Sequence, residues 1–314
     1  MGACFAVLMT TPSPFPRRGL LKAGLVVSTA ALTAAASAST ASAAPDPGQG
    51  GAEGELRVLE QQYAARLGVY ARNLRTGQVV SYRARERFAL CSTFKAFAAA
   101  AILRDHGHCA PLDKVVHYPP ADVTLPNCPI TEKHVDTGMT VGDLCAAAIQ
   151  YSDNAAGNLL LRQIGGPGGL TRFFRSIGDP VSRLDRWETD LNSAVPGDLR
   201  DTTTPEAADG GFTRLTLGRS LADADREQLV SWLKGNTTSG ERFRRGLPRD
   251  WVVADKTGTG DYATGNDLGV AWTTRGTPLV LAVLSSKSTR DAAVDNGLIS
   301  DTARVLARAL APGE

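Results

Sequence analysis

Strand-patterned segments stand near both ends of this chain, and helix-patterned segments fill the stretch between them. On the N-terminal side, L-G-V-Y-A-R-N, a Thr76-Gly77 turn and Q-V-V-S-Y-R read as a hairpin. On the C-terminal side, W-V-V-A-D-K-T, N-D-L-G-V-A-W-T-T and P-L-V-L-A-V-L-S read as three further strands, followed by a closing helix. From Ser92 to about residue 235 the periodicity is almost wholly helical. The economical architecture is of α+β type, a single domain over 55–314. One antiparallel five-stranded sheet, drawn from 55–90 and 236–314, is flanked by helices, and an all-helical lobe, 91–235, is inserted in it. Clefts form where two lobes meet, so functional side chains are expected at that seam.

Within the helical stretch, Thr140-Val-Gly-Asp143 reads as a capping box ahead of L-C-A-A-A-I-Q. Further helical patterns start near Asn154, stopping at Gly165-Gly166, and run through G-G-L-T-R-F-F-R-S-I, stopping at Gly178. Residues 179–205 show no sustained periodicity, and a polar connection that long inside a compact domain is usually functional or disordered. The helical pattern returns at 226–234.

The first 43 residues read as an address, not as fold. Arg17 and Arg18 precede a short apolar run that becomes Ala/Ser/Thr-rich and ends with small residues at Ala41 and Ala43. That is the pattern of a cleavable leader, and the paired arginines point to twin-arginine export. Residues 44–54 are Pro/Gly-rich and are expected to form a disordered lead-in. The chain carries 34 basic and 32 acidic residues, and without the leader's Arg17, Arg18 and Lys22 the two kinds nearly balance. There is thus no electrostatic case for nucleic acid or an anionic membrane surface, and a secreted monomer is expected. Of the five cysteines, Cys4 leaves with the leader. Cys91 and Cys145 lie in apolar helical patterns as packing residues, whereas Cys109 and Cys128 flank polar chain and are the pair expected to bridge if any does.

Three short strings carry the chemistry: S-T-F-K at 92–95, S-D-N at 152–154 and K-T-G at 256–258. A helix puts residues i and i+3 on one face, so the Lys95 amine can approach the Ser92 hydroxyl. A serine is a poor nucleophile until a base takes its proton. Ser92 also opens a helix, where unpaired N–H groups and the positive dipole end favour a developing oxyanion. Taken singly, each string has a bland reading, such as a helix cap with a snorkelling lysine. All three in this order, on helix, loop and strand, make a specific signal. A fourth element, E-T-D-L-N at 188–192, lies in the long connection.

With these four elements, and with L-D-R-W-E-x-x-L-N, T-E-K-H at 131–134 and D-K-T-G-T-G, the chain resembles class A serine β-lactamases over essentially its whole mature length. The resemblance implies hydrolysis of penicillins and cephalosporins through a covalent acyl-serine, with no metal or other cofactor. It implies Ser92 as nucleophile, an oxyanion hole from the backbone N–H groups of Ser92 and Thr259, and Lys95 or Glu188 as the base of acylation. Glu188, held with Asn192, would activate the water that releases the acyl group. Ser152 would relay a proton to the lactam nitrogen, and Asn154 would donate to the substrate's side-chain amide. Lys256 and Thr257 would meet the substrate carboxylate or Ser152, while the bare backbone of Gly258 lets a flat bicycle lie close. Asn158 would brace the glutamate, Asp153 would be structural, and Arg186 with Asp201 would pin the base of the long loop.

Departures from the family pattern bear on substrate choice. The strand after K-T-G lacks the arginine that many members use for the carboxylate, and Arg242, in N-T-T-S-G-E-R, matches the place from which other members supply it. Asn127 stands where relatives often carry an aromatic cleft wall. Cys91 matches a cysteine that some relatives bridge to one just past K-T-G, but Gly260 occupies that place here, which weakens a carbapenemase reading. Thr259 resembles broader-spectrum relatives. Three other readings fit the sequence less well. A D,D-peptidase lacks the Glu188–Asn192 water activator, a penicillin sensor would need a membrane tether, and a zinc hydrolase would have to use His106, His108 and Cys109 without an H-x-H-x-D string.

Overall fold

The computed structural model describes residues 47–105 and 111–314. Helix α1 (Pro47–Gln62) leads into strands β1 (Arg66–Asn73) and β2 (Val79–Tyr82). The two-residue strand β3 (Phe88–Ala89) precedes a 3-10 turn, Cys91–Thr93, and helix α2 (Phe94–Asp105). Strands β4 (Val115–Val116) and β5 (Met139–Thr140) come before helices α3 (Val141–Gln150), α4 (Asn154–Gln163) and α5 (Gly166–Ser176). After the long connection come β6 (Thr202–Thr203), α6 (Pro205–Thr216), α7 (Asp223–Lys234) and the single turn α8 (Phe243–Gly246). Strands β7 (Val252–Gly260), β8 (Thr264–Trp272) and β9 (Pro278–Ser286) and helix α9 (Asn296–Leu310) complete it.

The five long strands form one antiparallel sheet in the order β2-β1-β9-β8-β7, as the pattern at the two ends predicts. The apolar run of β9 is buried from Leu279 to Ser285, as the middle strand of a sheet covered on both faces must be. One apolar cluster joins α1, α8 and α9 to one face through Leu56, Val69, Phe243, Val283 and Leu306. The other face and the helical lobe share a second cluster around Phe97, Leu144, Leu160, Phe212 and Ala282. Helix α2 is buried on all sides, which its alanine-rich sequence permits and which leaves Lys95 with no route to solvent. The Thr140 cap holds, its hydroxyl accepting from Asp143 N at 3.0 Å.

Three expectations are corrected. The lead-in expected to be disordered is helical from Pro47, because Ala52 and Leu56 bury in the α1/α9 seam, and that tertiary packing outweighs the poor helix propensity of the glycines. The 91–235 lobe is not wholly helical, since β3 pairs with β6 and β4 with β5. Cys128 is a buried free thiol facing Ala155 N and Thr131, so the bridge to Cys109 is not formed. Cys109 itself, with His106 and His108, lies outside the described residues, as do the leader and its arginines. Cys91 and Cys145 are buried free thiols as expected, and burial pushes both well up from an ordinary thiol.

Candidate active site

The first turn of α2 and the 3-10 turn before it fix the nucleophile candidate. Cys91 takes a left-handed φ of 45°, and Thr93 anchors the turn by donating from Oγ1 to Leu90 O at 2.6 Å. Ser92 is 8% exposed and Lys95 fully buried. Lys95 Nζ donates to Ser92 Oγ at 3.0 Å, to Ser152 O at 2.8 Å and to Asn154 Oδ1 at 2.6 Å, and lies 3.0 Å from Glu188 Oε1. Five acceptors from the 3-10 turn, the 151–153 loop, α4 and the long connection therefore meet at one amine, counting Ser152 Oγ at 3.5 Å. A buried cation needs such partners, since transfer from water costs several kcal/mol when nothing replaces hydration.

The 151–153 loop presents Ser152 at a φ of 57°, a left-handed conformation that a non-glycine residue adopts only when its surroundings enforce it. Asp153 supplies the constraint on one side. Its carboxylate caps α4 through Ala156 N at 2.9 Å and accepts from Ile130 N, Thr131 N and Thr131 Oγ1, so its role is structural. Asn127 supplies the other, donating from Nδ2 to Ser152 O at 2.9 Å. The residue that stands in for an aromatic wall thus clamps the serine's carbonyl, a role that its type alone did not reveal. Asn154 Nδ2 donates to Pro126 O at 2.7 Å, which leaves its second N–H uncommitted.

Strand β7 brings the third string to the same place. Lys256 is fully buried, and its Nζ donates to Ser152 Oγ at 3.1 Å and to Thr257 O at 2.9 Å. Burial, reinforced by the nearby charge of Lys95, pushes the Lys256 ammonium well below the ordinary lysine range. Behind it, burial and the neighbouring Asp255 raise Asp267 well above an ordinary carboxyl, while Asp255 pairs with Arg244 at 3.0 Å. The glycine at 258 also has a packing reason. A Cβ there would lie 2.9 Å from Leu90 O and 3.1 Å from Thr93 Cγ2, so its absence lets the nucleophile's turn pack on β7.

The long connection delivers the carboxylate. Glu188 is 5% exposed, with Oε1 accepting from Ser92 Oγ at 3.4 Å and Oε2 from Asn192 Nδ2 at 2.5 Å. Its backbone is held on both sides by one residue: Glu188 N donates to Asn158 Oδ1 at 2.9 Å, and Asn158 Nδ2 donates to Glu188 O at 3.0 Å. The loop base is pinned by buried Asp201, which accepts from Arg186 Nε at 2.6 Å and from the backbone of Asp185 and Arg186 at 2.7 and 2.9 Å. Arg242, 6% exposed, points beneath the strand. Nη1 donates to Gly258 O and Asn266 O, Nε to Asn296 Oδ1, and Nη2 to Thr259 Oγ1 at 2.8 Å. Ser92, Lys95, Ser152, Asn154, Glu188, Asn192 and Lys256 thus gather at one seam. A cavity of roughly 930 Å³ behind the 186–202 segment is not lined by Ser92, Lys95, Ser152, Glu188 or Lys256, so it is not the place where these groups meet.

A buried serine within reach of an amine and a carboxylate, at the seam of a sheet and a helical lobe, defines a serine hydrolase of the acyl-transfer type. Residues 52–310 match the β-lactamase enzyme family. A β-lactamase of Streptomyces cellulosae is 49% identical over 305 residues, covering 96% of this chain and 98% of that one. A carbapenem-hydrolysing β-lactamase, KPC, of Klebsiella oxytoca is 52% identical over 249 residues, covering 79% and 85%. The solved β-lactamase of Streptomyces albus G superposes with a TM-score of 0.81 at 50% identity, covering 83% of this chain and 99% of that one. The chain belongs to the β-lactamase family, class A. It is a serine β-lactamase, which opens the β-lactam amide through an acyl-serine and so gives antibiotic resistance.

Proposed function

We propose that each residue of the seam has a distinct part in that reaction. Ser92 Oγ attacks the β-lactam carbonyl carbon, and the carbonyl oxygen turns into the N–H groups of Ser92 and Thr259. The serine proton leaves through Lys95 or Glu188, the two groups that touch Ser92 Oγ, at 3.0 and 3.4 Å. Ser152, hydrogen-bonded to Lys256 at 3.1 Å, then passes its proton to the departing lactam nitrogen and takes the former Ser92 proton back through Lys95, whose Nζ lies 3.5 Å from its Oγ. In the second half, Glu188 takes a proton from a water steered by Asn192, the resulting hydroxide attacks the acyl carbon, and as the C–O bond to Ser92 breaks the proton held by Glu188 returns to Ser92 Oγ. The observation that carries this reading is the Glu188 carboxylate, buried and tied to Asn192, within reach of both the nucleophile and Lys95. A slow-releasing D,D-peptidase has no such water activator.

The substrate carboxylate is received by Thr257 and Thr259 with the charges of Lys256 and Arg242 behind them. Asn154 donates its free N–H to the side-chain amide, and the strand backbone beside Gly258 flanks the substrate. Asn158, Arg186 and Asp201 hold Glu188 in place. The substrates are penicillins and cephalosporins. Cys91 stays a free thiol against Gly260, so no bridge between those two places braces this site. Among the described residues no helix is long and apolar enough to cross a membrane. The twin-arginine leader over 1–43 supports secretion of a monomer whose single domain starts with α1, earlier than residue 55. The test is burst and steady-state hydrolysis of a chromogenic cephalosporin with and without chelator. Fast turnover that ignores chelator supports the reading, and a burst followed by negligible turnover, or chelator sensitivity, refutes it.

A further inference from the structure

Two threonine hydroxyls two residues apart on β7, Thr257 and Thr259, are each met from behind by the loop 236–242. Arg242 Nη2 meets Thr259 Oγ1 at 2.8 Å, and Thr238 Oγ1 lies 2.5 Å from Thr257 Oγ1. The two supports differ in kind. A guanidinium only donates, so Thr259 always has its own proton free for the cleft. A hydroxyl has one proton and can face either way.

The direction of that proton follows from the chain of contacts behind it. Asn236 Nδ2 donates to Asp255 Oδ2 at 3.1 Å, and Asp255 is ion-paired with Arg244. The amide orientation of Asn236 is thereby set, with Oδ1 turned to Thr238 as an acceptor. It receives Thr238 N at 3.0 Å and Thr238 Oγ1 at 2.8 Å. While Thr238 donates to Asn236, the proton between the two threonines must come from Thr257, which then shows the cleft only lone pairs. That arrangement repels a carboxylate. To receive one, Thr257 must point its proton outward, and at 2.5 Å the two oxygens would then face each other without a hydrogen unless Thr238 turns its own proton toward Thr257. Asn236 Oδ1 tolerates the change because it keeps the Thr238 N–H.

We propose that Thr238 is a positioning residue for substrate recognition, a hydroxyl that reverses from Asn236 to Thr257 and so makes Thr257 a donor to the substrate carboxylate. In the reversed state Thr238 and Thr257 donate in series to the anion, and each bond polarises the next. The proposal rests on Thr257 meeting that carboxylate, as argued above.

The test compares benzylpenicillin with its methyl ester on the full-length enzyme and on Thr238→Val, Thr238→Ser and Thr257→Val. Thr238→Val keeps the shape and removes the proton. A lost hydrogen bond of ordinary strength corresponds to a fall of roughly 3- to 10-fold in kcat/KM for the acid, carried by KM. The ester should be unaffected, and Thr238→Ser should restore the acid. An equal loss on acid and ester, no loss on the acid, or no rescue by serine overturns the relay. Thr257→Val separates the two claims. If it fails to discriminate acid from ester, the carboxylate role of Thr257 falls and the relay with it. If it discriminates while Thr238→Val does not, only the relay falls.

Discussion

Replacing Glu188 by glutamine tests the division of labour at the seam most directly, because the shape of the side chain is kept. In the wild-type protein Oε1 faces Lys95 Nζ at 3.0 Å and Oε2 faces Asn192 Nδ2 at 2.5 Å, so two donors converge on one carboxylate. A glutamine has one acceptor and one donor group to offer them. With the Asn192 amide as it lies in the wild type, an NH2 confronts either Lys95 or Asn192 Nδ2, an unmade buried contact worth about 1–3 kcal/mol, unless Asn192 turns its unpartnered Oδ1 to accept. For a chain of this size that is a drop of roughly 2–10 °C in Tm, and Glu188→Ala, which makes no donor–donor contact, should differ from it in Tm while sharing its kinetic defect. Loss of a positioned general base slows its step by about 10²–10⁴, or ~3–5 kcal/mol of barrier. Stopped-flow mixing with a chromogenic cephalosporin should therefore give a burst of one product per enzyme and a slow steady state, with the acyl adduct visible by intact mass. A burst rate within about tenfold of wild type assigns the Ser92 proton to Lys95, and a burst slowed as much as turnover assigns it to Glu188. Wild-type turnover without an adduct in both variants would refute the water-activating role.

Other outcomes follow from neighbouring contacts. In Gly260→Ala the new Cβ would sit 2.6 Å from Asn192 O and 2.7 Å from Cys91 Sγ, so the loop that carries Glu188 has to move; single-turnover kinetics should show deacylation slowed more than acylation, and an equal effect on both would count against this. Asp201→Asn can keep the two backbone donors but loses the charge facing Arg186, which is itself 20% exposed, so the cost is about 1–3 kcal/mol and not that of a fully buried pair. Its kcat should fall while circular dichroism at 25 °C stays native, whereas unchanged kcat would detach this pair from catalysis. For Asp267 the folded protein holds a proton that the unfolded chain releases at ordinary carboxylate pH. Its contribution is full at acid pH and is lost as pH rises through the raised value. Asp267→Asn should therefore lose less Tm than wild type between pH 5 and pH 9 (roughly the span from the ordinary carboxyl upward), and parallel curves would show that the proton is held elsewhere.

The parts of the fold legible in the sequence were those with a repeating pattern. Alternation and apolar runs identified all five sheet strands, and their placement at the two ends implied a sheet that closes around an insertion. Two-residue strands such as β3 and β6 have no period to detect, so their pairing, Phe88 with Thr203 and Ala89 with Thr202, appears only in three dimensions. Helix α6 went unread because P-E-A-A-D-G-G-F carries two glycines, and the periodicity resumes only near 226. Its start is nonetheless built in the usual way, with Thr204 Oγ1 accepting from Ala207 N. The site residues were legible because nucleophile, amine and carboxylate belong to short strings whose chemistry depends on type and spacing. Asn127, Asn236 and Thr238 were not, since polar residues in loops are common and only their partners distinguish them.

The same contacts that make the site reactive also join the two lobes, which explains why the strings lie so far apart in sequence. Lys95 belongs to the helical lobe by position, yet it holds the loop of Ser152, the start of α4 and the carboxylate of Glu188. Lys256 reaches from the sheet to that same serine. Were the site assembled within one lobe, its buried charges would be a local burden on that lobe alone. Lys95 and Glu188 find their partners inside the helical lobe, whereas Lys256 reaches Ser152 only when the sheet is docked on that lobe. Removing one charge therefore leaves another buried and unpaired, a loss of about 3–5 kcal/mol in such settings. A chain that assembles this seam correctly has, by the same interactions, brought a nucleophile, a proton acceptor and a water-activating carboxylate within 3.4 Å of one another.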